Sequence, residues 1–135
     1  MQQLQKALED LIKALKQIEI TPYRYHPVTI INTYYISDIT FNDAINTQIS
    51  KDAKKVVLFA FSIEPDPNAE YQVTIGEMLR DITFQSSSIV TINLPLNEAG
   101  YDVLQPESII RLRIRSLQSG LTTKTSCIIS WVEAR

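Results

Sequence analysis

The chain is predicted to be mainly β: an antiparallel β-sandwich, jelly-roll-like or immunoglobulin-like, preceded by one N-terminal amphipathic α-helix. Three observations predict it. The composition changes once, at Thr21-Pro22, from helix formers (Leu, Ala, Lys, Gln, Glu) to residues suited to a pleated sheet (Ile, Val, Thr, Tyr, Phe). Before that point Leu4, Leu8, Leu11, Leu15 and Ile18 follow one another at spacings of 4, 3, 4 and 3. After it, short β-rich runs recur about every ten residues, separated by turn chemistry. The expected organisation is a helix over 1–21 and a sandwich domain over 22–135.

The helical spacing places five apolar residues on one seam. Lys6 and Asp10, and Glu9 and Lys13, are four residues apart on the opposite surface and add about a few tenths of a kcal/mol each. Ala7, Ile12 and Ala14 flank the seam and make it wider than a two-stranded coiled coil needs. About two and a half heptads are too few to hold a helix in water unaided, so something outside it must cover the seam. The cover can be the chain's own sandwich, further copies around a symmetry axis, or a groove on another protein. Leu4, Leu8, Leu11, Ile12, Leu15 and Ile18 are therefore the candidate oligomerisation or partner-binding residues.

Strands are expected at 28–36, 39–41, 45–49, 55–63, 71–75, 82–84, 89–94, 109–117 and 124–132, with one helical turn as an alternative around 77–80. Breaks are marked by Pro65, Asp66, Pro67 and Asn68, by the stretch from Asn97 to Pro106, and by Ser119-Gly120. Val56 to Phe61 is apolar at every position, which predicts a central strand covered on both faces. Ile110, Leu112 and Ile114 alternate with Arg111, Arg113 and Arg115, the pattern of a strand with one core face and one wet face.

That alternation creates a candidate rim contact, because three same-face arginines stand about 6.8 Å apart and can meet carboxylates or phosphates. The competing reading is pairing with the protein's own Asp and Glu across the sheet. Tyr23, Tyr25 and His26 place aromatic planes beside hydrogen-bonding groups and form a candidate ligand site; the alternative is packing where helix meets sheet. His26 is the only histidine and Cys127 the only cysteine. They cannot form a structural zinc site of the usual kind, no internal disulfide is possible, and no Gly-x-Ser-x-Gly elbow supports a triad. Asp66, Asn68 and Glu70 offer oxygen ligands, but proline spacing favours a turn over a calcium loop. No catalytic residue, metal or cofactor is expected.

The 135 residues carry 13 basic and 15 acidic side chains, a net charge of -2, with 44% hydrophobic and 21% charged residues. This is ordinary globular usage, large enough for a core without disulfides. The balance gives no long-range attraction to nucleic acid. The start Met1-Gln2-Gln3-Leu4 lacks the form of a signal peptide and no run reaches membrane-spanning length, so no membrane partner is expected.

Taken whole, the chain resembles small accessory proteins of tailed-phage particles: capsid decoration or cement proteins and head or tail appendages. The resemblance spans the full length and rests on the heptad-like helix from Leu4 to Ile18, the compact sandwich and the scarcity of groups suited to catalysis, not on a residue motif. It implies a homo-oligomer, with a trimer favoured, that clamps neighbouring capsid subunits. It also implies a protein partner such as a major capsid protein and a place in the virion after assembly in the host cytoplasm. A carbohydrate- or receptor-binding sandwich module is the alternative, using Tyr23, Tyr25 and His26 or the Asn97 to Pro106 loop. A jelly-roll enzyme is a third reading, which requires two close carboxylates or a bound metal in a pocket.

Overall fold

A computed structural model describes residues 2–20, 24–77, 79–93 and 104–135, with the side chains of 14–20 outside the description. One helix precedes eight strands: α1 (Gln2–Ile20), β1 (Tyr25–Ile36), β2 (Asn42–Gln48), β3 (Lys55–Glu64), β4 (Ala69–Ile75), β5 (Leu79–Phe84), β6 (Val90–Asn93), β7 (Ile109–Ser116) and β8 (Thr123–Ala134). The strands form two antiparallel four-stranded sheets, ordered β1-β8-β3-β6 and β2-β7-β4-β5.

The pairs β1-β8, β2-β7, β3-β6 and β4-β5 are nested, first with last and so inward. This is one long antiparallel ribbon folded over on itself, and its successive strand pairs fall alternately into two facing sheets. The jelly-roll form of the expected sandwich is therefore the observed one.

The core lies between the sheets and is built by period-two alternation. Phe59, Phe61 and Ile63 of β3, Tyr71, Val73 and Ile75 of β4, Ile110, Leu112 and Ile114 of β7, and Cys127, Ile129 and Trp131 of β8 are all buried. Burying such side chains contributes about 1.5–3 kcal/mol each, the main drive to fold. Tyr71 stacks on Phe84 with ring centroids 5.6 Å apart. Its hydroxyl takes a 2.7 Å hydrogen bond from the Asp66 N–H and lies 2.6 Å from Thr125 Oγ1, joining the β3-β4 turn to β8 across the sandwich.

Three expectations need correction. Residues 39–41 form a bend, not a strand, because this stretch carries the chain from one sheet to the other; the Ser116 N–H donates to the Asp38 carbonyl at 2.7 Å there. The helical turn around 77–80 does not form: Leu79 and Arg80 open β5, while Met78 lies outside the described residues. β3 is interior to its sheet, as its apolar run suggested, but only one of its faces is covered. Leu58 alternates with the inward Phe59, Phe61 and Ile63 and so faces outward, 60% exposed, while a register shift between Val56 and Leu58 brings Val56 to the buried side.

Candidate functional site

The described part of the helix is bare. Leu4, Leu8, Leu11 and Ile12 are 73%, 57%, 56% and 44% exposed, and every residue from Gln2 to Lys13 is exposed. A 3.6-residue period has gathered the leucines into one stripe, and nothing described in the chain lies against it. Leu15 and Ile18 belong to the same helix, with side chains outside the description. A helix of 19 residues, roughly 28 Å long, gains little stability from propensity alone.

The sandwich presents two unlike outer faces. On the β2-β7-β4-β5 sheet, each member of the arginine row forms an ion pair within its own fold. Arg111 Nη2 meets Asp81 Oδ1 at 3.2 Å, Arg113 Nε meets Asp43 Oδ1 at 2.9 Å, and Arg115 Nε meets Glu70 Oε1 at 3.0 Å. The register explains this: Arg113 lies directly opposite Asp43 on β2, and Arg115 directly opposite Glu70 on β4. Hydrogen bonds from Arg115 and Gln85 hold the Glu70 carboxyl below the usual carboxylate range. Arg115 also lies over Phe41, 5.5 Å from its ring centroid.

A shallow depression of about 300 Å³ lies at one end of this face, lined by Thr74, Glu77, Arg80, Asp81, Glu107 and Arg111 among others. Asp81 and Glu107 there have φ of +50° and +66°, in the left-handed region. A hydrogen bond from Thr74 Oγ1, 2.9 Å, helps fix the Asp81 side chain and, with Arg111, keeps its carboxyl below the usual range. Arg111 Nε is buried without a partner among the described residues.

The β1-β8-β3-β6 sheet offers the opposite character. Its outer rows run Thr29-Ser130-Ala60-Asn93 and Ile31-Ile128-Ser62-Thr91, with no charged side chain in either. Hydroxyls pair across strands, Thr29 with Ser130 at 3.3 Å and Thr33 with Ser126 at 3.0 Å. Ile31, Leu58, Ile89 and Ile128 stand exposed on this face, and Ile31, Ile89 and Ile128 border a depression of about 210 Å³. Sequence reasoning missed this face. The available signal was the absence of Asp, Glu, Lys and Arg from Tyr25 to Ile36 and from Thr125 to Val132, unusual for strands with a wet side.

The aromatic candidate site is only partly assembled. Tyr25 and His26 are consecutive in β1 and so point to opposite faces; Tyr25 is exposed and His26 half-buried. Tyr23 lies outside the described residues, as does most of the Asn97 to Pro106 loop. Asp66 performs turn chemistry, accepting from the Asn68 N–H at 2.9 Å and the Lys124 N–H at 3.1 Å. Cys127 is buried, and burial pushes its thiol up to about 11. In the β1-β8 register His26 is opposite Glu133 and Asn32 opposite Cys127, so the histidine and the cysteine stand six strand steps, roughly 20 Å, apart.

No family model matches the chain, and no curated protein matches it. Among solved structures, one described as Bacillus endospore appendages, a family of disulfide-linked pili, aligns at 8% identity over 84% of this chain and 90% of that one, with a TM-score of 0.48. A second, the decameric BFDV capsid protein, aligns at 11% identity over 84% of this chain and 100% of that one, with a TM-score of 0.39.

Proposed function

We propose that the chain is a non-catalytic structural protein of a larger assembly, in particular a viral capsid decoration or cement protein that oligomerises through its N-terminal helix. The observation that carries this reading is the exposed stripe of Leu4, Leu8, Leu11 and Ile12 on a helix too short to stand unaided. A surface of this kind is stable only when covered, and a trimer suits its width better than a dimer seam. The partner is then a shell protein such as a major capsid protein, and the site of action the virion. The sandwich supplies a body whose arginine row is spent on pairing with Asp81, Asp43 and Glu70, which supports binding over chemistry.

Light scattering in solution over a range of concentrations tests the reading. The wild-type chain is expected to run as a trimer at low concentration and as larger multiples of three as concentration rises. Leu8→Asp with Leu11→Asp is expected to abolish the trimer while the β-rich circular dichroism spectrum persists. A wild-type chain that stays monomeric at every concentration would remove the oligomer and, with it, the cement reading.

A further inference from the structure

Each sheet of an open sandwich has two edges, and an edge strand carries unpaired N–H and C=O groups that can recruit another chain. Three of the four edges here are blunted. β2 has a register shift between Asp43 and Ile45 and the charge of Asp43 itself. β5 carries Arg80 and Asp81, the latter at φ +50°. The described β6 has four residues. β1 is different: twelve residues long, in unbroken register with β8, and free of Asp, Glu, Lys and Arg throughout. Among the described residues no strand lies on its other side.

The direction of its backbone groups follows from one pair. Arg24 and Arg135 exchange both hydrogen bonds, at 2.9 and 2.8 Å. In an antiparallel ladder such pairs alternate, so the even-numbered residues of β1 face β8 and the odd-numbered residues face outward. Two further contacts agree. The carbonyl of Ile36 faces β8 and accepts from Thr123 Oγ1 at 2.9 Å, while the Thr33 N–H is taken by its neighbour, Asn32 Oδ1, at 2.9 Å. Pro27 is odd-numbered, so its missing N–H weakens nothing in the existing sheet. Thr29, Ile31, Thr33 and Tyr35 are left as consecutive outward donors and acceptors.

We propose that this edge pairs with the β1 of a second copy, antiparallel across a two-fold axis at Asn32, so that two sheets join into one of eight strands. This register sets Ile31 against Thr33 and Thr29 against Tyr35 in both directions. It uses all four outward donors of each copy and leaves Pro27 beyond the paired stretch. The Asn32 contact to the Thr33 N–H is exchanged for a backbone bond. An isologous pair requires the same surface on both sides, and the charge-free strand meets its own kind without burying an ion. The three blunted edges make it the best partner a copy can offer. The pairing is independent of the helix, and a strand pair alone covers less than the roughly 1,200 Å² of a stable interface. The two associations therefore reinforce each other in one assembly.

The test uses the full chain carrying Leu8→Asp and Leu11→Asp, which removes association through the helix. At rising concentration this protein is expected to reach a dimer by light scattering, and adding Thr33→Pro, which removes an outward N–H together with the Thr33-Ser126 hydroxyl contact, is expected to weaken that dimer at least tenfold. Because Thr33→Pro can also harm folding, Asn32→Cys in a Cys127→Ser background provides a second arm, the background removing the native thiol that lies opposite Asn32 on β8. Its two copies face each other on the axis at a cross-strand separation of about 4.5–5.5 Å, so air oxidation is expected to link them at least tenfold faster than Thr40→Cys in the nearby bend. A helix variant that stays monomeric, or equal cross-linking at both cysteines, would overturn β1 pairing. A helix variant that keeps the wild-type mass would instead overturn the helix reading above.

Discussion

Trp131 and Glu133 sit two residues apart on β8 and both point into the core, with the indole Nε1 donating to Glu133 Oε2 at 2.8 Å. The carboxylate is 1% exposed and would be costly alone. It also accepts from the Ser50 N–H at 3.2 Å and from Arg135 Nε and Nη2 at 3.2 and 3.0 Å. One buried charge thus ties the β2-β3 connection and the end of β8 to the largest core side chain.

Burial opposes ionisation of Glu133, but the bonds from Trp131, Ser50 and Arg135 outweigh it and hold the carboxyl below its usual range. A lowered native value means the stabilisation is fully present above the unfolded value of about 4.3 and is lost as pH falls through the native one. Glu133→Gln is expected to cost about 1–3 kcal/mol at pH 7 and progressively less below pH 4. Urea unfolding of both proteins across this range measures it; a constant difference down to pH 2 would contradict the charge-based account.

Tyr71→Phe is expected to destabilise by about 1–3 kcal/mol, since it strands the Asp66 N–H and Thr125 Oγ1 in a buried setting. Thr125→Val added to it should cost less than it does alone. A double-mutant cycle with additive costs would show that the two hydroxyls do not interact.

The facing of β3 is checked by a matched pair. Phe61→Ala, inside, is expected to cost about 3–5 kcal/mol, while Leu58→Ser, on the bare outer face, is expected to cost under about 1 kcal/mol in the dissociated chain. Comparable losses would mean that Leu58 is covered after all.

Cys127 should be silent toward thiol reagents in the folded protein. With its thiol pushed up to about 11 and shielded from solvent, its labelling at pH 8 is expected to track unfolding, with rates rising steeply only as urea opens the sandwich. Rapid labelling of native protein would place the thiol at the surface.

The arginine row is expected to contribute modestly. Arg113 and Asp43, both partly exposed, should couple by about 0.2–1 kcal/mol in a double-mutant cycle, and less in high salt.

Much of the sandwich was legible from residue order alone. The alternation of Ile110, Leu112 and Ile114 with three arginines set which face of β7 is buried, because a pleat allows only two directions. The seam from Leu4 to Leu11 was equally readable, since one helix turn dictates it. Val56 to Phe61 misled: an apolar residue at each position suggested cover on both faces, yet strand alternation turns Leu58 outward and nothing among the described residues covers it. The bend over 39–41 contains β-forming residues but serves as a crossing between sheets, a role that depends on where its two ends must go.

Local chemistry by itself therefore determined the helix, the strand periods and the single change of character at Thr21-Pro22. Nested pairing, the meeting of Arg115 with Glu70, the burial of Glu133 and the charge-free edge of β1 were decided only by tertiary structure. Periodicity acts between neighbours a few residues apart and can be read along the chain. Which strand lies beside which is set by contacts between distant segments, such as β1 with β8 across about a hundred residues, and the register of those contacts chooses which groups are satisfied and which remain open.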